Sequence, residues 1–82
     1  MKAVHDPDFL RELNKNFAST LKELRVSGSL TQHDLSDRSG LSLRMISDME
    51  RGLRQPTLGT LFKLAHGLGI SIYDLLRNFS RK

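Results

Sequence analysis

Leu10, Leu13, Phe17, Leu21 and Leu24 recur at steps of three, four, four and three residues, the spacing that gathers apolar side chains along one side of an α-helix. Asp6-Pro7 provides a cap followed by a proline suited to the first turn, and this helix ends before Gly28. Its other side, with Arg11, Glu12, Lys15, Lys22 and Glu23, is a solvated face. Three later starts share one device, an apolar residue before a small polar cap and another four residues into the helix, the hydrophobic staple. Leu30-Thr31 with Leu35, Leu41-Ser42 with Ile46, and Ile70-Ser71 with Leu75 are the three. Asp34 and Asp74 stand at the third helical position of the first and last, where a carboxylate can reach back to the cap and meets the positive end of the helix dipole. Glycines close the elements: Gly40, Gly52, and then either Gly67 or Gly69. Pro56-Thr57 opens a fourth helix whose inner stripe is Leu58, Leu61, Leu64, Ala65 and Leu68, and a fifth uses Ile72, Leu75, Leu76 and Phe79.

With no stretch of alternating apolar and polar residues, the pattern predicts an all-α, compact five-helix bundle. It reads as a single domain over residues 1–82, with a helix-turn-helix at about 31–52 and a C-terminal helix at about 71–80; the first five residues and Arg81-Lys82 read as loose ends. At 82 residues the chain has room for one small core, so self-association would help it. Cysteine is absent, which excludes disulfides and thiolate metal sites. His5, His33 and His66 are not spaced to share a metal ion, so no metal is expected. No catalytic constellation or phosphate-cradling glycine loop stands out, and no cofactor or enzymatic activity is expected. Apolar runs are too short for a membrane span or signal peptide, which predicts a cytoplasmic, nucleoid-associated protein with no membrane partner. The net charge of +4 and pI near 10.0 suit a polyanionic partner without requiring one.

Only Gly40-Leu41-Ser42 separates the second and third helices. So short a link forces a sharp crossing, the arrangement whose second helix can enter a DNA major groove. Ser36 is small enough for the inside of the bend, and Leu35, Leu41, Ile46 and Met49 supply the apolar lining. At about 100° per residue, Arg44, Ser47, Asp48 and Arg51 fall within one arc of the third helix, opposite Ile46, Met49 and Leu53. Arg44 can offer a bidentate fork to guanine, Asp48 can accept from cytosine, and Ser47 can meet a base edge or a phosphate. Ser42 and Leu43 stand at the helix start, where Leu43 can touch a thymine methyl. The same face also reads as plain solvent-exposed surface with an Arg44–Asp48 ion pair, and an intrahelical pair of that kind can open when both partners meet DNA. Gln32, at the start of the second helix, is placed to bind a phosphate, and Arg54 and Gln55 are candidates for further phosphate contacts.

The run Thr31-Gln32 with Leu35, Gly40, Ser42, Ile46-Ser47, Glu50, Gly52, Pro56 and Leu61 resembles the XRE family of lambda-repressor-like DNA-binding domains, over roughly Phe17 to Leu76. That family includes phage repressors and Cro proteins, antitoxins and restriction-modification controller proteins. The resemblance implies that Gln32 contacts DNA and that Arg25 and Glu50, both at the edges of apolar stripes, form an internal salt bridge that orients the third helix. This chain departs from the family at Ser36, where alanine is usual, and at Leu43, where relatives often carry a polar base-contacting residue. The expected function is a sequence-specific regulator that binds double-stranded DNA as a homodimer on a palindromic operator. Ile70, Ile72, Leu76 and Phe79 are the candidate dimer interface, the same stripe being equally able to close the monomer core. The alternative is a protein-interaction module or antitoxin using the same bundle, with RNA polymerase or a toxin protein as its partner.

Overall fold

The structure is a computed structural model that describes residues 4–80. Five helices follow in order: α1 (Phe9–Ser27), α2 (Gln32–Ser39), α3 (Leu43–Glu50), α4 (Leu58–Leu68) and α5 (Ile72–Ser80). There is no strand among the described residues. Helix α2 packs on α4 and α3, α1 packs on α3 and α5, and α5 lies against α4. Phe17, Leu21, Leu35, Leu41, Ile46, Met49, Leu64, Ala65 and Leu75 form one buried cluster between them. Phe79 closes it, its ring meeting that of Phe17 edge to face at 5.5 Å.

The helix starts follow their local chemistry. Thr31 Oγ1 accepts from the Asp34 N–H and the Asp34 carboxylate accepts from the Thr31 N–H, both at 2.9 Å, a reciprocal capping box. Ser42, Thr57 and Ser71 each accept from the N–H three residues on. At the last of these the box is half made, because the Asp74 carboxylate pairs with Arg77 rather than reaching back. The start of α1 also differs from the sequence reading. Asp6 accepts from the Asp8 N–H and its carbonyl from that of Phe9, a turn ahead of the helix, which begins at Phe9.

At their C-termini, α2, α3 and α4 are followed by Gly40, Gly52 and Gly69, all with φ between 73° and 77°. Gly69 is therefore the cap of α4. Gly67 instead lies inside α4 at its crossing with α2: a Cβ there would stand 2.9 Å from Leu35 Cδ1 and from Ser39 Cβ. Beyond α1 the left-handed position falls to Ser29, φ 58°, with the Leu30 N–H bonded back to the Arg25 carbonyl at 3.1 Å. Four residues of the apolar pattern face water: Leu10 is 52%, Leu53 65%, Leu58 70% and Leu76 40% exposed, Leu58 being the first residue of α4. Among the described residues no helix is long and apolar enough to cross a membrane.

Candidate nucleic-acid interface

The turn between α2 and α3 is held from both sides. Ser39 Oγ accepts from the Leu41 N–H at 3.2 Å and Ser36 Oγ donates to the Leu41 carbonyl at 2.6 Å. The Ser36 hydroxyl thus finds its partner in the bend, and Leu41, with both backbone groups bonded, turns its side chain into the core. From this anchor α3 buries Ile46 and Met49 completely. Arg44 and Arg51 are exposed, Leu43 is 45% exposed, and Ser47 and Asp48 are half-buried. These residues and Gln32 of α2 line one shallow, open concavity.

Arg44 Nε lies 3.8 Å from Asp48 Oδ2, and the arginine side chain is 88% exposed. That separation is beyond hydrogen-bond length, and an exposed pair at this spacing is worth only a few tenths of a kcal/mol. The guanidinium can therefore leave Asp48 for a better acceptor at little cost. Ser42 uses its oxygen to cap Met45 and keeps its hydroxyl hydrogen as a donor. Arg54 and Gln55 are exposed in the connection between α3 and α4. Gln55 does not share the concavity of α3. It lines an apolar groove of about 150 Å³ with Leu13, Phe17, Pro56, Leu61, Leu76 and Phe79, among others.

Behind the concavity, one carboxylate ties three elements together. Glu50, at the end of α3, receives Arg25 Nε on Oε2 at 2.6 Å and Arg25 Nη2 on Oε1 at 3.0 Å. The Arg25 and Glu50 side chains are 12% and 4% exposed. The remaining Arg25 nitrogen donates to the Leu30 carbonyl at 2.7 Å, which holds the α1–α2 link. Its hydrogen bonds to Glu50 raise the Arg25 pKa, burial working against them, so the guanidinium keeps its charge. Gln32 Nε2 then donates to Glu50 Oε1 at 3.2 Å. Nothing in the sequence signals this last contact, since the two residues are 18 apart and belong to no common helical face.

The four residues of the apolar stripe near the C-terminus divide. Phe79 packs on Phe17, Ile70 and Ile72 are half-buried against the core, and Leu76 is 40% exposed. Beside Leu76 on α5, Tyr73 is 80% exposed, and α4 exposes Phe62 at 53%. No group of acidic, histidine or cysteine side chains that could hold a metal ion occurs among the described residues.

The helix-turn-helix family HTH_3 matches residues 21–75, from the middle of α1 to α5. The chain belongs to that family. It is a DNA-binding transcriptional regulator of the XRE type. It is 40% identical over 65 residues to the HTH-type transcriptional regulator y4dJ of Sinorhizobium fredii, covering 79% of this chain and 84% of that one. Among solved structures it is similar to the wild-type restriction-modification controller protein C.Esp1396I, with a TM-score of 0.78, 28% identity, and 84% and 88% of the two chains covered. The controller protein C.AhdI from Aeromonas hydrophila gives a TM-score of 0.72 at 35% identity, over 76% of this chain and 94% of that one.

Proposed function

We propose that this HTH_3 regulator binds a palindromic or near-palindromic operator as a homodimer, each copy laying α3 in the major groove. The observation that carries the reading is the division of α3 into a wholly buried side, Ile46 and Met49, and an open side carrying Leu43, Arg44, Ser47 and Asp48. A helix of eight residues is about 12 Å long and spans only a few base pairs, so one copy reads one half-site. The molecule measures 36 × 24 × 21 Å, a size that lets two adjacent copies reach half-sites one helical turn, about 34 Å, apart. Arg44 reads guanine, Asp48 accepts from cytosine, Leu43 meets a thymine methyl, and Ser42, Ser47, Arg51, Arg54 and Gln55 hold base edges or the backbone. The dimer contact lies on the outward side of α5, around Leu76 and Tyr73 with the flanks of Ile70 and Ile72; Phe79 contributes from within the core.

Selection of bound duplexes from a random pool tests this directly. The selected sites have twofold symmetry with half-sites about one turn apart, and titration gives two chains per duplex. Asymmetric sites bound by one chain would overturn the homodimer, and no enrichment of any sequence would overturn base reading by α3.

A further inference from the structure

Asp48 puts a carboxylate on the face of α3 that meets a polyanion. Its side chain is 20% exposed and lines the concavity with Arg44, Ser47 and Arg51, a placement that leaves it little room to turn out of the way of bound DNA. Arg44 Nε, at 3.8 Å, is too far to bond it, and no hydrogen bond to this carboxylate occurs among the described residues. An ionised carboxylate only accepts hydrogen bonds. Phosphates, guanine N7 and O6 and thymine O4 are acceptors too, so Asp48 opposes all of them. The donors that a major groove offers are the exocyclic amines, N4 of cytosine and N6 of adenine. Adenine sets its N7 acceptor beside that amine, whereas cytosine has a carbon there, which makes cytosine the base that suits Asp48 best. Arg44 and Asp48 stand one turn apart with their heads side by side. The guanidinium on guanine and the carboxylate on cytosine therefore fall on the same base pair or on neighbouring ones.

Cytosine N4 carries two hydrogens in a duplex. One is bonded to guanine O6, and only the other projects into the major groove. A methyl group on N4 has to replace that second hydrogen if the base pair is to survive. It then removes the donor and sets an apolar group against the carboxylate, which is desolvated without a partner. A methyl group at C5 leaves both N4 hydrogens in place. We infer that Asp48 makes this regulator sensitive to the covalent state of its operator: it binds sites whose cytosine amine is unmodified and rejects the same sites once that amine is methylated. The inference rests on the reading of α3 given under Proposed function and goes beyond it in naming a modification that switches occupancy.

The experiment takes a duplex selected by the unaltered chain and replaces each cytosine of a half-site in turn by N4-methylcytosine or by 5-methylcytosine. Affinities are measured at one salt concentration for the full chain, for Asp48→Ala and for Asp48→Asn, with melting curves alongside. Both variants should stay folded, because Asp48 makes no side-chain hydrogen bond for the fold to lose. At one cytosine the N4-methyl group should weaken binding by the unaltered chain at least about tenfold, as a mismatched base pair does, and the C5-methyl group by no more than about twofold. Asp48→Ala should bind the N4-methylated and unmodified duplexes within about twofold of each other. Both variants should bind a random duplex more tightly than the unaltered chain, since a negative charge has left the interface. Asp48→Asn, whose amide donates as well as accepts, should relax the choice of base at that position. No loss on N4-methylation at any cytosine overturns the inference. So does a loss that Asp48→Ala retains in full, which assigns the effect to a clash with another group. If the unaltered chain selects no sequence, the reading of α3 has failed instead, and that result is seen before any methylated duplex is made.

Discussion

Glu50 shows how much can depend on one side chain in a fold of this size. Its carboxylate and the Arg25 guanidinium are almost wholly removed from water, and the raised pKa of Arg25 means that this cation does not escape by losing its proton. Glu50→Ala would leave a buried, uncompensated charge, at a cost of about 3–5 kcal/mol. Thermal unfolding followed by circular dichroism should show a midpoint lowered by more than about 10 °C. Arg44 is the opposite case. It is 88% exposed and loosely paired, so Arg44→Ala should change stability by no more than about 0.5 kcal/mol. On the operator it should cost about 1–3 kcal/mol and relax the choice of base at one position, as read by binding to a set of singly altered duplexes. Arg44 was legible in the sequence because exposure on a helix follows from periodicity. The Gln32–Glu50 bond was not, because it depends on where two helices cross.

The start of α2 carries a pH dependence of known sign. Hydrogen bonds from the Thr31 backbone N–H, then from its side chain, lower the Asp34 pKa below the usual aspartate value. A lowered folded-state pKa means that the carboxylate stabilises the fold above the unfolded-state value, and that this contribution fades as pH falls through the folded one. Asp34→Asn should therefore lower the urea midpoint at neutral pH, and the difference from the unaltered chain should close in acid. The crossing of α2 and α4 makes a different demand. Gly67 brings the two helices so close that an added methyl meets Leu35 and the Ser39 backbone nitrogen, the latter at 3.1 Å. Gly67→Ala gains helix propensity of about 1 kcal/mol but overpacks the crossing by about 1–3 kcal/mol. The balance is a net loss of up to about 2 kcal/mol in urea unfolding. From sequence alone Gly67 and Gly69 were equivalent as caps. Only the positive φ of Gly69 and the neighbours of Gly67 separate them.

For the molecule as a whole, the exposed apolar surface gathers on α5 and α4, at Tyr73, Leu76 and Phe62. Tyr73 is 80% exposed, so the isolated chain should tolerate Tyr73→Asp within about 0.5 kcal/mol. If α5 forms the dimer contact, the same substitution shifts the protein to monomer in sedimentation and weakens operator binding, while binding of single half-sites persists. An unchanged dimer would move the contact to another face. The original stripe of Ile70, Ile72, Leu76 and Phe79 could not be divided from sequence, since a helix of nine residues has only two and a half turns and nearly every apolar position then lies near the core boundary. Leu10, Leu53 and Leu58 were misplaced for a related reason. Periodicity states which side of a helix is apolar but not how far along that side the neighbouring elements extend.

Local chemistry was therefore written in the chain. The caps at Thr31, Ser42, Thr57 and Ser71, the glycine stops, the bend after Gly40 and the outward arc of α3 all depend on residues within a few positions of one another, and short-range hydrogen bonding and helical geometry suffice to place them. The tertiary structure decided what required distant segments to meet: the shared carboxylate of Glu50, the close approach at Gly67, and which leucines the bundle covers. Those contacts are set by the packing of whole helices, whose crossing angles and extents no local pattern encodes.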